Sequence, residues 1–206
     1  MRKLFFLTLI LFAGMAFKVS GQDMRTVFFD APDKVFPLLT KNLRADLVDY
    51  IDAGMTAKVT NRLDGTTVLE ELGGDYLRLA ATSSSSMQAK LLPVRGDTVI
   101  CVIRSVKAEV TDSRIFFYDM EWNLIEDGGM FAPPAIRDFF VSDADAEEWA
   151  DACDIYLVSL TLSAGDNTLV AEYTMPSYMN VDDAGKIKPL LRRLTYRWNG
   201  ERFVME

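Results

Sequence analysis

Asp119 and Glu121 are the residues of this chain best placed by type and spacing for hydrolytic chemistry. They sit two apart in Phe116-Phe117-Tyr118-Asp119-Met120-Glu121-Trp122-Asn123. Large apolar residues alternate with polar ones there, the period-two pattern of a half-buried antiparallel strand. Read as a strand, the stretch puts both carboxylates on one face, about 7 Å apart. Two carboxyl groups at a suitable separation hydrolyse glycosides without any histidine. The same spacing also describes two solvated strand residues. A carboxylate-dependent, glycosidase-like hydrolase is therefore the alternative reading of this chain, and no catalytic residue is assigned.

Other chemistry is excluded by what the chain lacks. Histidine is absent, which removes Ser-His and Cys-His nucleophilic machinery, imidazole acid–base catalysis and histidine-ligated zinc. Cysteine occurs only at Cys101 and Cys153, so a four-cysteine zinc site is impossible. In an oxidising compartment the two could pair. Cys101, however, lies within the apolar run Val99-Ile100-Cys101-Val102-Ile103, which equally describes two separate buried thiols. Asp143, Asp145, Glu147 and Asp154 approach the spacing of a calcium loop. Glu148 stands where that loop needs its glycine, and Asp154 where it needs a bidentate glutamate. Helix capping by Ser142, with the acids at the positive end of the helix dipole, explains the run better. Arg95-Gly96-Asp97 matches the triplet that integrin-type receptors take from exposed loops, but Gly-Asp is also ordinary hairpin chemistry. No cofactor and no metal site is expected.

Charge narrows the partners. The formal net charge is −8. Arg2, Lys3 and Lys18 precede residue 22, so a chain cut after Gly21 keeps 19 basic against 30 acidic residues, or −11. A nucleic-acid binder needs a clustered positive footprint, and none is visible, so nucleic acid and anionic lipid surfaces are poor candidates.

The elements that must position these residues follow in chain order. Arg2 and Lys3, an apolar run from Leu4 to Phe17 and the small residues Val19 and Gly21 describe a cleavable signal peptide over 1–21. That run is shorter than the ~20 residues of a membrane span, so no span is expected in the mature chain, and the protein is expected in the periplasm or outside the cell. Pro32 is expected to open a short helix with Val35, Phe36, Leu38 and Leu39 inside. Thr40 caps a second helix ending at Gly54, with Arg44, Asp46, Asp49 and Asp52 on its wet face. Asp64-Gly65 marks a hairpin, and strands follow through Met87–Val94, Thr98–Val106 and Arg114–Trp122. Gly128-Gly129 and Pro133-Pro134 mark a boundary. Beyond it come a helix capped by Ser142 and strands at Ile155–Leu162, Thr168–Met175, Leu191–Trp198 and Arg202–Met205. The polar stretch Met179–Pro189 reads as a mobile loop.

Leu194-Thr195-Tyr196-Arg197-Trp198-Asn199 repeats the Trp-Asn strand, with Leu194, Tyr196 and Trp198 alternating inward. Pairing Thr40 with Ser142, Leu47 with Trp149, Asp49 with Asp151, Gly96 with Gly165 and Trp122 with Trp198 keeps one order. The expected fold class is α+β: antiparallel sheets backed by short helices, in two tandem helix-pair-plus-sheet halves, 22–127 and 128–206.

Val59-Thr60-Asn61-Arg62-Leu63-Asp64-Gly65, Lys90-Leu91-Leu92-Pro93 and Ser113-Arg114-Ile115-Phe116-Phe117-Tyr118-Asp119 with Glu121-Trp122 carry a resemblance. The chain resembles an uncharacterised family of exported bacterial proteins, catalogued only as domain of unknown function 3256. The resemblance covers nearly all of the mature chain and implies no activity. The leading expectation is thus an exported, non-catalytic binding or protein-interaction module with a protein partner in the cell envelope. Tyr156, Tyr173, Tyr178 and Met179 are the candidate interaction residues.

Overall fold

The structure, a computed structural model, describes residues 23–126 and 129–206. The expected signal peptide and the expected boundary at 127/128 lie outside the described residues.

Asp23 caps α1 (Met24–Asp30) by accepting from the Arg25 amide. Thr40 caps α2 (Lys41–Asp52) by accepting from the Leu43 amide at 3.3 Å. Gly54 then takes the left-handed conformation that closes the helix, φ +66°. Helix formation before Pro32, not after it, corrects the expected order. Pro37 lacks an amide hydrogen and its ring would crowd the carbonyl four residues back, so residues 31–39 form a strap of turns. Ala31, Val35, Phe36 and Leu39 are still buried.

Among the described residues, ten strands follow in two antiparallel meanders. β1 (Lys58–Thr60), β2 (Thr66–Leu72), β3 (Tyr76–Thr82), β4 (Ser85–Val94), β5 (Asp97–Lys107) and β6 (Thr111–Tyr118) lie side by side in chain order. β7 (Val158–Leu162), β8 (Thr168–Tyr173), β9 (Leu194–Trp198) and β10 (Phe203–Met205) form the second sheet, also in chain order. The fold is α+β. Between the sheets, α3 (Asp143–Glu148) is capped by Ser142, whose hydroxyl accepts from the Asp145 amide at 3.2 Å. The stretch expected to be a mobile loop holds α4 (Val181–Ile187) instead. Asn180 caps it by accepting from the Asp183 amide at 3.0 Å, and Ala184 and Ile187 are buried beneath it.

Strand alternation divides the apolar residues of the larger sheet between two cores. Leu77, Ala89 and Val102 face one another in register and point to α1, α2 and the strap. Tyr76, Lys90, Cys101 and Phe117, also in register, point to the second sheet, where they meet Leu160, Leu162, Leu169 and Trp198. The larger sheet is therefore the middle layer.

The smaller sheet is docked through its edge strand. Amides of β7 that face away from β8 donate to side chains of the larger sheet: Leu162 to Gln88 Oε1 at 2.9 Å and Leu160 to Ser113 Oγ at 3.1 Å. Val158 donates to Asp112 Oδ1 at 3.4 Å. Such capping removes an open edge that would otherwise recruit another strand. Buried Lys90 adds a second tie, donating to the Ala164 carbonyl at 3.2 Å while pairing with Asp75 at 3.0 Å.

Both cysteines are free and buried. Desolvation pushes the Cys101 thiol far up, and it also raises that of Cys153, so neither is a reactive thiolate.

The tryptophans do not occupy equivalent places. β6 ends at Tyr118, and Trp122 follows in a turn with φ +63°. Its ring lies 5.5 Å from Tyr118 and edge-on to Phe36 at 5.9 Å, in the core under the strap. Trp198 is within β9, stacked 6.2 Å from Phe117 in the other core, its indole donating to the Pro93 carbonyl at 2.7 Å. The alignment of the two Trp-Asn strands therefore fails at its first member.

Candidate functional site

The strap lies over the far end of the larger sheet and leaves a cavity of about 220 Å³ beneath it. Leu79, Ala81 and Met87 floor the cavity, and Val35, Phe36 and Leu39 wall one side. Two arginines hold this arrangement. Arg44, on α2, is 1% exposed. Its guanidinium donates to the carbonyls at both ends of the strap, Ala31 at 2.5 Å and Leu39 at 2.8 Å, and to Asp33 at 3.0 Å. Helical spacing placed Arg44 on the wet face. Two backbone carbonyls that no helix or strand satisfies draw it inside instead. Arg104, on β5, lines the cavity, donates to the Val35 carbonyl at 3.1 Å and lies 5.3 Å over the Phe116 ring. Arg114 stands directly across from it on β6. Thr67 and Ser85 add hydroxyls to the lining, whereas the Ser105 hydroxyl lies on the opposite sheet face, 2.8 Å from that of Ser113.

The carboxylates proposed for hydrolysis do not form a pair on a strand face. Asp119 opens the turn after β6. One of its oxygens accepts from the amides of Glu121 (3.0 Å) and Asn123 (2.8 Å), the other from the Asn123 side chain at 2.9 Å. Those bonds, the Asn123 side chain first, hold the Asp119 carboxyl below the usual carboxylate range. A general acid requires the opposite shift. A folded pKa below the unfolded one contributes stability above the unfolded value, and that contribution is lost as pH falls through the folded value. Carboxyl NMR titration is therefore expected to place the Asp119 midpoint below about 3.9, the free-aspartate value. A midpoint at or above that value would restore the acid role.

The expected interaction residues separate by burial. Tyr156 and Tyr178 are 45% and 49% exposed. Met179 is half-buried against the second core. Tyr173 is a core residue: its ring stacks on Phe139 at 5.7 Å and its hydroxyl donates to the Ile155 carbonyl at 2.9 Å. The Arg-Gly-Asp triplet forms the β4–β5 turn, with Gly96 at φ +88°. Arg95 is engaged by Glu201, and Asp97 accepts from the Thr98 amide at 2.7 Å. Among the described residues no group of three or more acidic or cysteine side chains could hold a metal ion. No described helix is long and apolar enough to cross a membrane.

A family model described as "Protein of unknown function (DUF3256)" matches residues 16–203. The chain belongs to the DUF3256 family. A solved domain of an uncharacterised protein from Porphyromonas gingivalis W83 is similar to this DUF3256 chain at 25% identity, with a TM-score of 0.75. The match covers 89% of this chain and 97% of that domain. No curated protein matches. Geometry, not a local sequence pattern, marks the residues that build the cavity. Arg104 carried one weak signal in the sequence, a lone cation closing the apolar run Val99–Ile103 where alternation would admit another aliphatic residue. Arg44 carried none.

Proposed function

We propose that this DUF3256 chain is an exported, non-catalytic binding module whose ligand enters the cavity under the strap. The observation that supports the reading most is that cavity: an apolar floor and wall with the Arg104 guanidinium and the Thr67 and Ser85 hydroxyls in its lining. Ligand sites are typically concave and apolar with a few convergent polar groups. No acid with a raised carboxyl and no thiolate adjoins it. Export rests on the leader-like residues 1–21, and the mature chain is expected to begin at Gln22 when recovered from the periplasm or the medium.

The test uses a neutral apolar fluorophore, N-phenyl-1-naphthylamine. One equivalent is expected to bind the native protein with enhanced emission. Ala81→Phe, which fills the cavity floor, is expected to abolish the signal while leaving a cooperative unfolding transition. Equal emission from the filled variant would mean that the probe sits elsewhere, and the reading would fail.

Tyr156 and Tyr178 support a second reading, a protein contact in the cell envelope. Half-exposed tyrosines are favoured anchors of interfaces; Ile155, next to Tyr156, and Val181, three residues after Tyr178, are 51% and 87% exposed.

A further inference from the structure

Arg104 and Arg114 present an arrangement that folding alone does not favour. They are directly opposed in the β5–β6 register and so share the sheet face that bears the cavity. Opposed residues of an antiparallel pair have Cβ atoms about 5 Å apart, and like charges placed so repel. Among the described residues neither guanidinium has a carboxylate within ion-pair distance. Asp112, next along on β6, is engaged by the Val158 amide. The chain carries 30 acidic residues against 22 basic ones, so two adjacent unpaired cations stand out against their surroundings. Arg104 spends one donor on the strap, and a guanidinium has five.

We infer that the cavity takes the tail of an anionic amphiphile, a medium-chain carboxylate, with Arg104 and Arg114 holding its head group. The inference rests on the binding-module reading above and adds the chemical class of the ligand. Cavity size supports it. About 220 Å³ is below the roughly 300–1,000 Å³ of sites that engulf a drug-sized ligand. An apolar chain end fits inside, and the polar remainder is left for Arg104, a half-buried residue of the lining. A carboxylate there accepts two parallel hydrogen bonds from one guanidinium and relieves the repulsion between the two arginines. Such a ligand differs from an anionic membrane surface, which would need a broad basic patch; one pocketed carboxylate needs only one or two cations.

Displacement of N-phenyl-1-naphthylamine by decanoate, decanol and decyltrimethylammonium tests the inference. Decanoate is expected to displace the fluorophore at about one-tenth the concentration decanol requires, since a charge-assisted pair adds to the same apolar burial. Decyltrimethylammonium is expected to be the weakest. Arg104→Gln is expected to weaken decanoate about tenfold and to leave decanol unchanged. Arg114→Gln, at a side chain with no hydrogen bond to the strap, is expected to weaken decanoate by a smaller factor. It serves as the control if the Arg104 variant loosens the strap. Equal potency of decanoate and decanol, with neither variant altering it, would overturn the anionic head group while leaving a binding module in place. Failure of the fluorophore itself to bind would remove both.

Discussion

Arg44→Met is expected to lower the free energy of unfolding by about 3 kcal/mol, read from urea denaturation with an unchanged slope. Methionine keeps the unbranched stem but donates nothing, so the Ala31 and Leu39 carbonyls lose a partner that lies 2.5 and 2.8 Å away. Each buried carbonyl left without a partner costs about 1–3 kcal/mol. Asp33 adds little to that sum. Its side chain is 49% exposed and rehydrates once the arginine is gone. Arg44→Lys should recover part of the loss, because one ammonium cannot reach three acceptors from a single fork. The strap also walls the cavity, so fluorophore binding should weaken in parallel with stability. An unfolding free energy within 0.5 kcal/mol of the parent would show that Val35, Phe36 and Leu39 hold the strap by apolar burial alone.

Gln88→Leu is expected to be nearly as damaging, by about 2–4 kcal/mol, for a different reason. Gln88 Oε1 accepts from the Leu162 amide at 2.9 Å and from the Tyr76 hydroxyl at 3.3 Å, in the interior between the sheets. Leucine leaves both donors buried and unpaired. Ser113→Ala removes the corresponding acceptor for Leu160 at a half-buried position that water can reach, so about 1 kcal/mol is expected there. Thermal or chemical unfolding of the two variants should preserve that order. The reverse order would mean that Gln88 is replaceable by packing and that the second sheet is docked by its apolar face, not by its edge.

Much of the architecture was legible because it follows from local chemistry. Thr40, Ser142 and Asp64-Gly65 act over two to four residues, and the structure uses each as a cap or turn. Period-two alternation located the strands to within a few residues at their ends. Local pattern misled where a distant partner decided the outcome. The strand through Phe116 was extended to Trp122 because Met120 and Trp122 kept the alternation. Asp119 instead closes a turn on Asn123, and the Trp122 ring is bound to Phe36 of the strap, more than eighty residues earlier. Arg44 looked solvated by helical spacing, since no local rule records that two strap carbonyls need a donor. Met179–Pro189 looked mobile because of Asp182, Asp183 and Gly185, yet burial of Ala184 and Ile187 is enough to keep α4 in place. Tyr173 and Tyr178 could not be told apart from the sequence, and the structure puts one in the core and the other in solvent.

By itself, then, the amino-acid sequence determined the fold class, the absence of imidazole chemistry and of a four-cysteine metal site, the caps and hairpin turns, and the apolar faces of the strands. Each of these depends on residue types or on neighbours a few positions apart. Only the tertiary structure decided which apolar faces meet, which polar groups are drawn inside to satisfy buried amides and carbonyls, and where a cavity lined by Arg104, with Arg114 opposed to it across the strands, is left open. Those outcomes depend on hydrogen-bond partners and packing volumes supplied by residues tens of positions away, which no local pattern specifies.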